Sequence, residues 1–386
     1  MKKIYLIIVT FLFAATTAFA EENLAESAKS AILVDASSGE VLYEKNADEK
    51  RPPASMTKIG SMLLIMEQID SNKLSLEDDV TISKTAADMG GSQVFLQEGE
   101  VYKVKDLLKG IAIASGNDAV VAMAEKVSGS VEEFVKLLNK RAKELGAVNT
   151  NFINPHGLDA DGHYSTARDM AILARELLKH ESILEYTSIY EEYLNKNDGT
   201  KTWLVNTNKL VRFYKGIDGL KTGYTQEAGY CLTATASKNN FRLISVVMGE
   251  ENTEKRSSDT VKMLNYGFSS YKINIIKSKK EVLGKVRVKK SQDEYAEISL
   301  KEDATILLKN NEDTKDYQFK LNVFKLVAPI KVGDTIGTAD IIDSEGNIIK
   351  QVDLTVIKDI KKASFLDYLF KNLKTLCAGK NIINQN

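Results

Sequence analysis

Pro52-Pro53-Ala54-Ser55-Met56-Thr57-Lys58 opens the stretch of sequence that decides the fold of this chain. The two prolines stop regular structure before Ser55, and the segment from Met56 to Ile69 is apolar on nearly all sides. A helix that is apolar all round belongs in the interior of a domain. We therefore expect a buried central helix with Ser55 at its N-terminus and Lys58 in its first turn.

The segments around this helix predict strands, then helices, then strands again. Short apolar stretches joined by turn residues predict the strands, and three-to-four spacing of apolar residues predicts the helices. The expected elements are a strand hairpin at 31–36 and 41–43, helices within 104–145 and at about 166–178, strands around Lys221 and at 230–236 and 243–248, and a helix at about 253–266. This order predicts an α+β domain, residues 21–273, whose sheet is built from both ends of the segment.

The C-terminal third of the chain has a different pattern. From about Asn274 apolar residues alternate with polar ones, which predicts a small all-β domain over residues 274–360. Residues 361–386 carry an apolar helical face beside several lysines. This amphipathic pattern suits a helix lying on an anionic membrane surface, and a terminal helix packed on the β domain is the alternative.

The N-terminus predicts export. Met1-Lys2-Lys3 is followed by an apolar stretch and by Ala18-Phe19-Ala20. A charged start, a short apolar middle and small residues before the cut describe a signal peptide, residues 1–20. An uncleaved membrane anchor is the alternative, for which the apolar run is short.

Composition excludes several classes of function. The formal net charge is −1, with acids and bases interspersed, so no nucleic-acid partner is expected. The two cysteines, Cys231 and Cys377, lie far apart, which argues against a disulfide framework. The three histidines have no metal-ligand spacing, so we expect no metal and no cofactor. A Ser-His-Asp triad would have to use His156 or His163.

Three short motifs occur in order: Ser55-Met56-Thr57-Lys58, Ser115-Gly116-Asn117 and Lys221-Thr222-Gly223. Serine needs a base to act as a nucleophile. The spacing of three residues on a helix puts Lys58 on the same face as Ser55. Lysine can serve as that base if burial and a nearby cation lower its pKa, and the apolar helix and Lys221 offer both.

The other motif residues suit the rest of a serine acyl-transferase site. Ser115 would relay a proton from Lys58 to the departing amine, and Asn117 would hold the amide of the substrate. Lys221 and Thr222 would bind a terminal carboxylate, and Gly223 would let the substrate backbone pass close to its strand. Each motif alone also fits a helix cap or a turn, and Ser-x-x-Lys recurs at Ser269/Lys272.

Five segments resemble the low-molecular-mass penicillin-binding proteins that act as D-alanyl-D-alanine carboxypeptidases. They are Pro53-Ala54-Ser55-Met56-Thr57-Lys58, Ser115-Gly116-Asn117-Asp118-Ala119, His156-Gly157-Leu158-Asp159, Ala167-Arg168-Asp169-Met170 and Asp218-Gly219-Leu220-Lys221-Thr222-Gly223-Tyr224-Thr225. The resemblance implies a helix-flanked sheet shared with serine β-lactamases, followed by the small β domain and the tail. It also implies a peptidoglycan pentapeptide as substrate, an acyl-enzyme on Ser55 and inhibition by β-lactams.

The resemblance implies roles for further residues. The backbone N–H groups of Ser55 and Tyr224 would form the oxyanion hole, and Arg256 would help to place the substrate carboxylate. His156 would be structural and would order its loop. Close relatives often have histidine where this chain has Tyr224, and the change would affect substrate fit or pH dependence more than the chemistry.

Other functions remain open from the sequence. A serine β-lactamase needs a second base, and Glu191-Glu192-Tyr193-Leu194-Asn195 has the Glu-x-x-Leu-Asn spelling, although it lies much closer to Lys221 than to Ser115. We expect this segment in a strand or hairpin next to the Lys221 motif. An endopeptidase or transpeptidase would use the same residues. A penicillin or peptidoglycan sensor would acylate once and stop.

Overall fold

The computed structural model describes residues 23–312, 316–364 and 367. The predicted signal peptide, nearly all of the predicted tail and Cys377 lie outside these residues. The helices are α1 Lys58–Asp70, α2 Lys84–Ala87, α3 Val104–Ala112, α4 Asn117–Ser128, α5 Val131–Glu144, α6 Ala167–Leu177, α7 Leu184–Thr187, α8 Leu210–Phe213 and α9 Thr253–Ser270. Among the described residues, none of the helices combines the length and apolar character needed to cross a bilayer.

The strands fall into two groups along the chain. Those of the first part are β1 Ser30–Asp35, β2 Val41–Lys45, β3 Asp79–Thr81, β4 Val101–Lys103, β5 Glu191–Asn195, β6 Lys201–Val205, β7 Ile217–Thr225, β8 Gly229–Lys238 and β9 Phe241–Glu250. Those of the second part are β10 Tyr271–Lys277, β11 Gly284–Lys289, β12 Tyr295–Leu300, β13 Ala304–Lys309, β14 Gln318–Val323, β15 Leu326–Val327, β16 Gly337–Ile342 and β17 Ile348–Val356.

The central sheet has the strand order β2-β1-β9-β8-β7, and all its neighbours are antiparallel. The N-terminal hairpin thus pairs with strands from the far end of the domain, as the sequence predicts. Alternation along β1 divides the core, because Ile32 and Val34 face the large helical cluster while Ala31 and Leu33 pack with residues of α9. The fold class predicted from the sequence, α+β with a helical subdomain, is confirmed.

The central helix is as buried as expected: every residue of α1 from Lys58 to Met66 is buried. It begins later than expected, because a 3-10 turn, Ala54–Thr57, precedes it. The predicted helical region 104–145 is divided into α3, α4 and α5. The breaks coincide with the left-handed φ of 64° at Ser115 and of 81° at Gly129, which end regular helix.

The second part of the chain is all-β in its described residues up to 364. Six strands form a sheet in the order β14-β16-β17-β12-β11-β15, and β10 pairs separately with β13. Alternating apolar residues of β12, β16 and β17 form its core, among them Ile298, Ile341 and Leu354. The first strand of this part starts at Tyr271, three residues before the predicted change of pattern at Asn274.

Candidate active site

Ser55 lies in the 3-10 turn Ala54–Thr57, which leads directly into α1. The turn starts from a left-handed φ of 47° at Ala54. The Thr57 hydroxyl donates to the carbonyl oxygen of Ala54 at 2.8 Å, which closes the turn around Ser55. The nucleophile predicted from the sequence is therefore presented by a short constrained turn and not by the first turn of an α-helix.

Lys58 is fully buried and its Nζ has three oxygen partners. They are Ser55 Oγ at 3.0 Å, Asn117 Oδ1 at 2.6 Å and the carbonyl oxygen of His156 at 2.8 Å. Burial, and next the charge of Lys221, hold the pKa of Lys58 well below its ordinary value. A neutral amine would keep two N–H donors and could accept the Ser55 proton with its lone pair. The arrangement suits a base aimed at Ser55.

Asn117 has different contacts from those expected. Its Oδ1 accepts from Lys58, and its Nδ2 donates to the carbonyl oxygen of Gly90 at 2.7 Å. Both ends of the amide group are therefore used within the protein. One N–H and one lone pair remain for a substrate.

Ser115 lies at the end of the loop before α4. Its hydroxyl is buried and, among the described residues, has no hydrogen-bond partner. The structure thus brings the middle motif to Lys58 through Asn117, whereas the Ser115 hydroxyl is bonded neither to Lys58 nor to Lys221. A proton relay through Ser115 would need its side chain to turn.

Lys221 and Arg256 form a buried cationic region on the Lys58 side of the site. Lys221 Nζ donates to the carbonyl oxygen of Thr222 at 3.0 Å. Burial first, and then the charge of Arg256, lower the pKa of Lys221 to about 7. Burial also lowers the pKa of Arg256, whose Nε has no hydrogen-bond partner among the described residues. Buried cations with spare donors favour an anionic ligand.

Gly223 is needed by the protein's own packing. A Cβ at this position would lie 2.7 Å from the carbonyl oxygen of Pro53 and 3.1 Å from Ala54 Cβ. Strand β7 therefore passes directly against the segment that carries Ser55. The close approach expected for a substrate backbone is here made by residues 53–54 of the same chain.

Tyr224 follows Gly223 and is exposed. Its ring packs on that of Tyr230 on the neighbouring strand, with ring centroids 4.3 Å apart. Tyr224 and Tyr230 are direct cross-strand partners of β7 and β8. Tyr224, which stands where close relatives often have histidine, is thus the exposed member of an aromatic pair.

The two histidines considered for a triad act in other ways. His156 contacts Lys58 through its backbone carbonyl, while its Nδ1 accepts from the Leu158 amide at 3.2 Å. His163 Nδ1 accepts from the Ile153 amide at 3.0 Å, so the proton is on Nε2, which lies 2.9 Å from Thr57 Oγ1. Burial lowers the pKa of His156 to about 3 and that of His163 to about 4.

His163 is a positioning residue that sequence reasoning missed. Its Nε2–H donates to the Thr57 hydroxyl, which in turn donates to the Ala54 carbonyl. This chain of hydrogen bonds holds the turn that carries Ser55. The nearest signal in the sequence was the position of His163 after the His156-Gly157-Leu158-Asp159 segment. The sequence gives no signal for the His156 carbonyl, because every residue has a backbone carbonyl.

The Glu-x-x-Leu-Asn segment lies on β5, which pairs with β6 in a two-stranded hairpin. Glu191 is exposed, and Glu192 Oε1 accepts from the Tyr193 amide. The hairpin leads into Thr207, which accepts a hydrogen bond from the Thr222 hydroxyl at 2.7 Å. The segment is therefore a hairpin next to the Lys221 motif, as expected.

Comparisons with known proteins agree with this geometry. A family model described as D-alanyl-D-alanine carboxypeptidase matches residues 16–252, and one described as penicillin-binding protein 5, C-terminal domain, matches residues 271–362. The chain is similar to D-alanyl-D-alanine carboxypeptidase DacF of Bacillus subtilis, with 48% identity over 375 residues that cover 95% of this chain and 96% of that protein.

Solved structures give the same result. Penicillin-binding protein 5 from Haemophilus influenzae superposes with a TM-score of 0.68 at 31% identity, over 87% of this chain and 98% of that one. A penicillin-binding protein from Listeria monocytogenes in its ampicillin-bound form does so with a TM-score of 0.57 at 35% identity, over 63% of this chain and 98% of that one. The chain belongs to the D-alanyl-D-alanine carboxypeptidase family of low-molecular-mass penicillin-binding proteins.

Proposed function

We propose that Ser55 is the nucleophile with which this chain, a serine-type D-alanyl-D-alanine carboxypeptidase, removes the terminal D-alanine of peptidoglycan pentapeptides. The observation that carries the proposal is the distance of 3.0 Å between Ser55 Oγ and the Nζ of a buried lysine with a lowered pKa. Serine gains nucleophilicity only when such a base is within hydrogen-bond reach.

The reaction would proceed in two steps. Neutral Lys58 takes the Ser55 proton while Oγ attacks the carbonyl carbon of the penultimate D-alanine, and the N–H groups of Ser55 and Tyr224 stabilise the oxyanion. The C–N bond then breaks, and the proton passes to the departing amine of D-alanine, with Ser115 as the proposed relay. Water hydrolyses the resulting ester and restores the Ser55 hydroxyl.

The cationic region would bind the carboxylate of the terminal D-alanine. Lys221 supplies a charge and Arg256 its buried Nε–H, and Thr222 would supply a hydroxyl once its proton turns from Thr207 to the ligand. The carboxylate of a β-lactam fits the same place. Bringing a carboxylate to Lys221 would raise its pKa from about 7 and keep it charged at neutral pH.

Asn117 has a positioning role in this scheme. Its Oδ1 fixes Lys58 Nζ, and the bond from Nδ2 to the Gly90 carbonyl fixes the amide. The remaining N–H of the amide would reach the substrate backbone. Gly223 allows β7 to approach the nucleophile turn closely enough for the Tyr224 N–H to contribute to the oxyanion hole.

We propose that residues 21–273 form the catalytic domain and residues 274–360 a domain that holds it towards the wall. Family members act on peptidoglycan outside the cytoplasm, and the sequence supports export with cleavage after Ala20. The proposed contact of residues 361–386 with an anionic membrane surface rests on their sequence pattern alone. Cosedimentation with anionic vesicles tests it, since unchanged binding after deletion of 361–386 would discard it.

Release of D-alanine from a peptide ending in D-Ala-D-Ala tests the activity. The wild-type protein should release it repeatedly, Ser55→Ala should release none, and Ser269→Ala should behave as wild type. The last variant is the matched control, because Ser269 and Lys272 repeat the motif spacing elsewhere. A single turnover would favour a sensor, and rapid repeated hydrolysis of penicillin would favour a β-lactamase.

A further inference from the structure

The hairpin formed by β5 and β6 carries an exposed aromatic pair. Tyr193 and Trp203 are direct cross-strand partners, and their side chains are 55% and 58% exposed. On the opposite face of the hairpin Leu194 and Leu204 are each 1% exposed and belong to the helical core. The leucines anchor the hairpin, so folding does not require aromatic residues on its outer face.

This hairpin is attached to both walls of the active site. Near its tip Lys196 Nζ donates to the carbonyl oxygen of Phe95. The same loop provides the Gly90 carbonyl that accepts from the Asn117 side chain. Past its other end, Thr207 accepts from the Thr222 hydroxyl at 2.7 Å. The aromatic pair thus lies on an element whose two ends are hydrogen-bonded to the segments that contact the middle motif and the Lys221 motif.

The chemistry of the exposed face suits a sugar. The alternation of a strand places Glu191 and Asn195 of β5 and Lys201 of β6 on the same face as the aromatic pair, and all three are exposed. Flat aromatic rings pack against the C–H faces of pyranose rings, and polar neighbours bind the hydroxyls. Two rings form too small an apolar patch for a stable protein interface, which needs several hundred square ångströms on each partner.

We propose that Tyr193 and Trp203 bind the glycan strand to which the substrate peptide is attached. The inference rests on the proposed function, because the stem peptide in the cleft is covalently continuous with that strand. A sugar on the hairpin would increase the local concentration of the peptide at Ser55. Glycan-linked peptide is therefore a better substrate than the same peptide free in solution.

The test compares a free pentapeptide with the same pentapeptide carried on a disaccharide. The double variant Tyr193→Ala/Trp203→Ala should lose about tenfold in kcat/KM on the linked substrate, mainly through KM, which corresponds to about 1.4 kcal/mol of lost stacking. On the free peptide, and in acylation by penicillin, it should match the wild type. Phe324→Ala is the matched control, since Phe324 is 59% exposed but follows β14 in the second part of the chain.

Trp203 also provides a direct readout, because it is the single tryptophan of the chain. Glycan oligomers without peptide should change its fluorescence in Ser55→Ala as well as in wild type, so binding is measured without turnover. Equal kinetics of the double variant and wild type on the linked substrate, or no fluorescence change, would overturn the proposal. Self-association of the protein, or binding to lipid vesicles, that is lost in Trp203→Ala would also overturn the proposal, because the aromatic pair would then bind protein or lipid instead of glycan. Failure of wild type to process either peptide would contradict the proposed function instead.

Discussion

Replacing His163 with glutamine should reduce the acid sensitivity of folding. The imidazole is buried, and its Nδ1 accepts from the Ile153 amide while Nε2–H donates to Thr57. Protonation would place an N–H opposite the Ile153 N–H. Burial of the ring lowers the pKa of His163 from its ordinary value of 6.5 to about 4, and the opposed Ile153 N–H acts in the same direction.

The sign and the size follow from this difference. The unfolded chain binds the proton between pH 6.5 and about 4 while the folded chain does not, so the unfolding free energy falls as the solution becomes more acidic. From about pH 7.5 to about pH 4.5 the loss due to His163 is ~2.5 kcal/mol. His156 acts in the same direction, and Glu250, whose pKa burial raises to about 7, acts in the opposite one.

Urea unfolding of wild type and of His163→Gln over this pH range isolates the contribution, because the other groups cancel in the difference. The variant should be less stable than wild type at about pH 7.5, and the gap should shrink by ~2.5 kcal/mol at about pH 4.5. Thr57→Val is the control: it removes the hydroxyl but leaves the buried imidazole, so its curve should stay parallel to wild type. Parallel curves for His163→Gln would show that the folded protein does not hold this imidazole neutral.

Two further predictions concern the buried lysines and the 3-10 turn Ala54–Thr57. Lys221→Met removes a charge that lowers the pKa of Lys58, so the acid limb of the pH profile of kcat/KM should move to higher pH. KM should also rise. The control Thr222→Val should raise KM without moving the acid limb. An unmoved limb in Lys221→Met would contradict the electrostatic account. Gly157→Ala puts a Cβ 1.9 Å from the Ala54 carbonyl oxygen. Chemical denaturation should then show a loss of more than ~3 kcal/mol in stability, or, if the protein accommodates the Cβ by moving the turn, penicillin acylation should be strongly reduced. Gly162 is the control position, because its φ of +79° is similar but a Cβ there would have no atom closer than 3.9 Å. Gly162→Ala should therefore lower the free energy of unfolding by only ~1 kcal/mol. Equal effects of the two substitutions would show that contact with the turn is unimportant.

The sequence predicted the parts of the site that depend on local spacing. Ser55 and Lys58 are three residues apart at the start of an apolar segment, and the structure places Lys58 Nζ 3.0 Å from Ser55 Oγ. The central sheet was also predictable, because short apolar stretches mark its strands and the order of elements leaves few arrangements. The ordered set of three motifs also made Lys221 a candidate neighbour of Lys58, and in the structure its charge lowers the pKa of that lysine.

Contacts between distant segments could not be predicted in this way. His163 reaches Thr57 across 106 residues of sequence, and nothing in either local pattern specifies that pair. The His156 carbonyl is a backbone group, so no residue type marks it as a partner of Lys58. The expectation for Asn117 named only the substrate amide, so its bonds to Lys58 and to the Gly90 carbonyl were not predicted. Tertiary packing decided each of these contacts.

Mass spectrometry of the protein after incubation with penicillin tests the assignment of Ser55 most directly. We expect one persistent covalent adduct per chain, mapped by peptide analysis to Ser55 and missing in Ser55→Ala, while Ser269→Ala forms it as wild type does. An adduct on another residue, or no adduct in a wild-type protein that is folded, would contradict Ser55 as the nucleophile.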